Sequence, residues 1–360
     1  MIARVTILLP FVIHVRVGDV FSPRTFRYGE YEVRIFPPLR SSGVLGQPTA
    51  TPRTIDFPRA ADPQPASGDV TIDGAPSVPA DLLQVDFIKP QFDRTDHGND
   101  PPGEAIFRVA NLFLQQLRTL TRASQIKPLE VTGTTWGIAY LDDHGAVVPP
   151  DPPHKSRRMA ALFKVSGVVA FKQDVWTALQ ALPADYESTT WDALLLDAVA
   201  ILPEIGPAIV LANTAIEVRI STALDHLAST GRIDPTLWDW LNDRDGDYRK
   251  EPSMTERLDV LLRVLGGRSL KEDAKLWKSY RDLRDARNAF AHQGKAMLDR
   301  GRTPVSIARA AQLVQEAQTI IDWIESLLPE SERRPQLNTY TTITTNETLG
   351  VVGDIANAAR

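Results

Sequence analysis

The sequence predicts an α+β protein, a β-rich α/β half followed by an all-α antiparallel helical bundle. Two observations lead there. Runs of β-branched and aromatic residues recur through roughly the first 180 positions, where helical periodicity is rare. From about residue 190 onward, apolar residues instead recur at helical spacing between capping signals. A chain of 360 residues, 43% hydrophobic and 24% charged, has the material for two such domains.

In the first half, strands are expected over residues 5–17, 31–36, 83–88, 131–141 and 163–171. The apolar N-terminus is broken by Pro10 and followed at once by His14 and Arg16, so it reads as a buried strand and not as an export signal. One helix is expected over residues 102–124, where Ile106, Val109, Leu112, Phe113, Leu117 and Leu120 share a face. Two proline-dense stretches, 37–79 and 142–158, read as loops, because proline offers no N–H to a ladder.

The composition changes near 184–190, placing the β-rich domain at residues 1–183 and the bundle at 184–329. The threonine-rich tail, 330–360, is assigned no element. Within the bundle a first helix over 191–202 is stopped by Pro203, and a second over 207–230 by Gly231. Asp234-Pro235 reads as an N-cap with proline at the first helical position. Ser253 and Glu256 have capping-box spacing ahead of a helix closed by Gly266-Gly267. Ser269 and Glu272 repeat that spacing for a helix running to about residue 296. Thr303-Pro304 is read as the start of the last helix, which continues to Leu328.

The chain contains no cysteine, which excludes disulfides, thiolate metal sites and cysteine nucleophiles. The six histidines lack metal-ligand pairing, and no phosphate-cradling glycine loop or nucleophile elbow is present, so no metal and no cofactor are expected. No apolar stretch reaches the length of a membrane span, and a cytoplasmic location is expected. A net charge of -5 gives no global attraction to nucleic acid. Any RNA site must come from local clustering. Residues 267–302 supply it, with ten Lys or Arg against five Asp or Glu.

Inside that stretch lies Arg281-Asp282-Leu283-Arg284-Asp285-Ala286-Arg287-Asn288-Ala289-Phe290-Ala291-His292, with Lys295 just beyond. Arg287, the following Asn288, and His292 after four intervening residues resemble the signature of the HEPN superfamily. The capped helix before the motif and the amphipathic helix after it are similar to that family's bundle, over residues 191–328. The resemblance implies a metal-independent endoribonuclease that leaves 2′,3′-cyclic phosphate ends, acts as a homodimer, and serves toxin-like or antiviral defence. It implies Arg287 as the phosphate-binding group that stabilises the transition state, His292 as general acid or base, and Asn288 as the residue that orients His292 or the phosphate. Guanidinium donors suit phosphate oxygens, and imidazole is the side chain that most readily moves protons near neutral pH. Arg281, Arg284 and Lys295 are placed to contact the RNA backbone.

Helical geometry supports only part of this. Asn288 and His292 are i, i+4 neighbours, whereas five steps of about 100° leave Arg287 roughly 140° around the helix from His292. A second copy of the chain would let two motifs meet. The alternative is a noncatalytic module that binds RNA, a nucleotide or a protein, with the motif hydrogen-bonded locally or to Glu217 and Asp282 and Asp285 neutralising the nearby cations. The β-rich domain shows no recognisable site and is assigned to an unknown activator or protein partner.

Overall fold

The computed structural model describes residues 1–40, 70–93, 100–148, 168–242, 251–299, 301–337 and 341–345. The chain is α+β and divides into two compact units, Met1–Glu187 with Gln336–Arg360, and Ser188–Pro335.

The first unit is built around β1 (Ile2–Arg16), an almost continuously buried strand, as a strand paired on both sides must be. Hairpin partners β2 (Arg24–Tyr28) and β3 (Tyr31–Ile35) extend the sheet through β4 (Val70–Ile72) and β5 (Ala75–Ile88), with β3 and β4 both pairing β5. Helix α1 (Gly103–Thr121) follows, then β6 (Trp136–Leu141), β7 (Val147–Val148), β8 (Val169–Phe171) and α2 (Gln173–Ala181). The N-terminal half of β1 pairs antiparallel with β6; its C-terminal half pairs in parallel with β8. Its register with β5 shifts between Leu8 and Ile13, the interval that contains Pro10. A residue without an N–H interrupts the ladder there, and the strand changes partners.

Side chains alternate across β1. Val5, Ile7, Leu9, Ile13 and Val15 face a core shared with Ile106, Phe113 and Leu117 of α1 and Val175 and Trp176 of α2. Phe113 and Phe171 close edge-on or tilted around Trp176, whose indole N–H donates to the Ser22 carbonyl at 2.8 Å. The Gln116 amide donates to the carbonyls of Pro183 and Tyr186, and Arg24 donates to that of Leu182. These bonds hold the segment leading to Glu187 in the first unit.

Three expectations change here. The proline-rich reading of 37–79 as one loop fails at its end, because residues 70–72 and 75–79 are strands joined through Asp73-Gly74. Both residues of that turn have positive φ, 49° and 75°, the backbone that a two-residue hairpin requires. Pro76 and Pro79 both sit in paired positions near the start of β5, opposite Thr71 and His14, and Pro76 serves the ladder as an acceptor, its carbonyl taking the Val17 N–H at 2.9 Å. Likewise Val147–Val148 pairs with β6 inside the expected loop 142–158. Residues 41–69, 149–158 and 159–167 lie outside the described residues.

The tail, left without an element by its composition, returns to this unit. Its Ile343–Thr345 strand pairs antiparallel with β4. Asp73 anchors it: the Asp73 N–H donates to the Thr342 carbonyl at 2.8 Å, and the Thr342 N–H donates to the Asp73 carboxylate at 2.7 Å. The Lys172 ammonium hydrogen-bonded to that carboxyl, and then the Thr342 amide, hold it below the usual carboxylate range. A depressed folded pKa stabilises the latch above the unfolded value of about 3.9 and ceases to do so as the pH falls through the folded value. Hydrogen exchange at the Thr342 amide is therefore expected to lose protection below about pH 4 in the wild type, with no matching step in Asp73→Asn.

The second unit begins with α3 (Thr190–Ile201) and α4 (Ile205–Leu227), the latter relaxing into a wide turn, Ala228–Arg232. Helix α5 (Pro235–Asn242) follows, with the Asp234 carboxylate accepting from the Thr236 amide at 2.9 Å. The Ser253–Glu256 capping box forms as spelled and opens α6 (Met254–Glu256), a wide turn and α7 (Leu262–Gly266). Ser269 caps only a short turn, Leu270–Glu272. It is Asp273 that caps α8 (Ala274–Gln293), accepting from the amides of Lys275 and Leu276. Helix α8 stops at Gln293 because Gly294 adopts a left-handed conformation, φ 71°, so it does not reach residue 296. Thr303-Pro304 does not start the last helix. It forms β10 (Thr303–Pro304), paired with β9 (Met297–Leu298), and Ser306 caps α9 (Ile307–Glu325). The tail strand completes the series as β11 (Ile343–Thr345). Within this unit α4 is central, packing on α3, α8 and α9. Among the described residues no helix is long and apolar enough to cross a membrane.

Candidate functional site

Helix α8 carries all the motif residues except Lys295. Its buried side is Leu276, Ser279, Tyr280, Leu283 and Ala286, packed into the bundle core. Its outer side is polar. Arg281 and His292 are exposed, while Arg284, Arg287 and Asn288 are half-buried; Lys295 is exposed just past the Gly294 cap.

The structure brings two motif residues into contact. The Arg287 guanidinium donates to the Asn288 side-chain oxygen at 3.1 Å. His292, one turn beyond Asn288, makes no side-chain hydrogen bond with any described residue. Within one chain, then, Arg287 and Asn288 form a pair and the imidazole stands apart from it. Glu217, the alternative partner for the motif, is engaged elsewhere: it accepts from Asn213 one turn earlier on α4, at 2.8 Å.

Neighbouring carboxylates decide which cations keep their charge uncompensated. Asp282 takes Lys278 at 2.5 Å and Arg309 at 2.8 Å. Asp285 takes Arg284 at 2.8 Å, and the same guanidinium donates to Thr255 at 3.3 Å. Arg284 is thereby tied down, with its guanidinium also over the Tyr280 ring at 6.0 Å. Among the described residues, Arg281, Arg287 and Lys295 have no carboxylate partner. The surplus positive charge on this edge therefore belongs to those three. Phosphodiester backbones are the ligand class such an edge attracts.

Behind the motif lies a polar cluster of which the sequence singles out only Glu217. Tyr280 is buried, and burial above all pushes its phenol above the ordinary value; the nearby Glu217 charge acts in the same direction, while Arg284 and Thr255 oppose it. Asn213 is buried at 1% exposure beside Glu217, with its side-chain oxygen unbonded. The available signal was a carboxamide and a carboxylate four residues apart on a mainly apolar stretch of α4. A second feature left no sequence signal. Gly206, in the first turn of α4, lies directly against the Phe290 ring, so closely that a methyl group there would overlap it.

Fold and site together define a two-unit α+β protein whose helical unit presents arginine, asparagine and histidine at the C-terminal end of a long helix, on an edge with excess positive charge. No family model, curated protein or solved structure matches the chain.

Proposed function

We propose that the helical unit is a metal-independent endoribonuclease of HEPN type, working as a homodimer in the cytoplasm in toxin-like or antiviral defence. The observation that carries this reading is the Arg287–Asn288 pair and, one turn further along α8, an exposed His292 with no hydrogen-bond partner among the described residues, on an edge whose acidic residues are already occupied by other cations. In the reaction a ribose 2′-hydroxyl loses its proton and attacks the adjacent phosphorus. The bond from phosphorus to the 5′-oxygen breaks, and that oxygen takes up a proton. Arg287 stabilises the charge that builds on the phosphoryl oxygens, His292 moves one of the two protons, and Arg281 and Lys295 hold the flanking backbone. The β-rich unit receives the activating signal or protein partner.

The test is incubation of the purified chain with labelled single-stranded and transfer RNAs in excess EDTA. Cleavage to cyclic-phosphate ends is expected, reduced at least about 100-fold in Arg287→Ala and His292→Ala, the range over which acid–base and charge-stabilising groups act. The separation of Arg287 from His292 within one chain favours a second reading, a noncatalytic RNA-binding module. RNA that is bound but left intact would select it.

A further inference from the structure

We infer that Gly206 is a positioning residue for the motif, seating the Phe290 ring so that the last turn of α8 holds His292 in place; this rests on the ribonuclease reading. Helix α8 is anchored unevenly along its length. Its inward side chains Tyr280, Leu283 and Ala286 are fully packed, but C-terminal to Ala286 the helix has a single inward aromatic, Phe290. Helix ends fray when their last turn lacks partners. Here the final turn is closed by the Gly294 N–H donating to the Phe290 carbonyl at 2.8 Å, so the residue that ends the helix also anchors it. Phe290 lies between Asn288 and His292 in sequence, so a ring displacement that carries the backbone of this last turn with it displaces both.

Its seat is bare backbone. An ideal Cβ at position 206 would overlap the ring, with Cε2, Cδ2 and Cζ of Phe290 as its three nearest atoms. Gly206 has no left-handed backbone to explain its presence, since it is absent from the positive-φ glycines. It also sits in a helix, where glycine is disfavoured relative to alanine by about 1 kcal/mol. Close approach of the aromatic ring is what the position requires. Because the Phe290 ring is only half-buried, a methyl group at position 206 is expected to push it outward.

The experiment compares wild type, Gly206→Ala and the compensating pair Gly206→Ala/Phe290→Leu, each checked for an unchanged melting temperature. Gly206→Ala is expected to lower kcat for RNA cleavage by about 10- to 100-fold with little change in KM, the pattern of a misplaced catalytic group. The double variant is expected to recover most of the rate. The His292 ring resonance, assigned by comparison with His292→Ala, is expected to move in Gly206→Ala and return in the pair. That readout needs no cleavage. If the wild type leaves RNA intact, the ribonuclease reading falls, and the resonance still decides the positioning. Should Gly206→Ala fail to fold, Phe290→Leu alone withdraws the same anchor and must displace the same signal. An unmoved His292 resonance in a folded variant overturns the proposal, as does a wild-type kcat.

Discussion

Replacing Arg4 with methionine is expected to destabilise the first unit by about 3–5 kcal/mol, whereas Arg4→Met combined with Asp86→Leu is expected to recover most of that loss. Arg4 and Asp86 are direct cross-strand partners between β1 and β5, on the sheet face opposite the α1–α2 core. The guanidinium is bidentate, with Nε to Oδ1 at 2.9 Å and Nη2 to Oδ2 at 2.8 Å, and each side chain is only 3% exposed. In so dry a setting the two charges have lost nearly all their hydration, so each depends on the other. Removing Arg4 leaves a buried carboxylate facing no cation, because Arg34, opposite Asp86 on β3, is paired with Glu32 at 2.7 Å. Removing both leaves apolar side chains of similar reach. The Arg4 Nη1 and Thr6 hydroxyl, buried and unbonded on the same face, already show that this row is incompletely satisfied. Hydrogen exchange of the β1 amides under mild denaturant reads the loss in this unit alone. A double variant as unstable as Arg4→Met would show that the cost lies in packing, not in stranded charge.

The same strand shows how far the sequence could be read. Its apolar run made β1 legible, and Pro10 marked the interruption, but nothing local to that run says that an arginine at position 4 meets an aspartate at position 86. Register across a sheet is set by turns and by the partner strand, which lie far away in sequence. Proline density concealed β4 and the start of β5. The Asp73-Gly74 hairpin signal was present in the sequence but went unread among the prolines around it. In the helical unit, caps were the most readable feature, since a cap is chemistry within three or four residues. Asp234 and the Ser253–Glu256 box appear where spelled. Ser269 misled because Asp273, four residues later, competes for the same helix start and satisfies two amides.

The candidate site divides along the same line. Helical phase alone placed Asn288 and His292 on one side and Arg287 away from it. Asp285 was among the carboxylates expected to neutralise the nearby cations, and it does take Arg284; phase could not say that Thr255 would share that guanidinium, nor that Glu217 would be taken by Asn213. The Thr255 contact depends on how α6 and α8 pack, and the other two on which of several near neighbours each side chain takes. Gly206 was illegible for a stronger reason: a glycine in a helical start looks like a weak helix former, and only the ring resting on it reveals its use.

Co-expressing Arg287→Ala and His292→Ala chains is expected to restore RNA cleavage that neither variant shows alone, to about a quarter of the wild-type rate. Arg287 is held by Asn288 roughly 140° around α8 from His292, so one straight helix does not present both groups to one phosphate. A two-fold dimer does, if each cleft takes Arg287 from one copy and His292 from the other. In a mixed dimer one cleft then receives both intact groups and the other receives neither. Random pairing makes about half the dimers mixed, and each carries one working cleft of two. If instead each chain builds its own site, every chain in the mixture lacks an essential group and no rate returns. Cleavage by wild type without restoration in the mixture would therefore keep the ribonuclease and remove the shared cleft, requiring the last turn of α8 to bring His292 round to Arg287 when RNA binds.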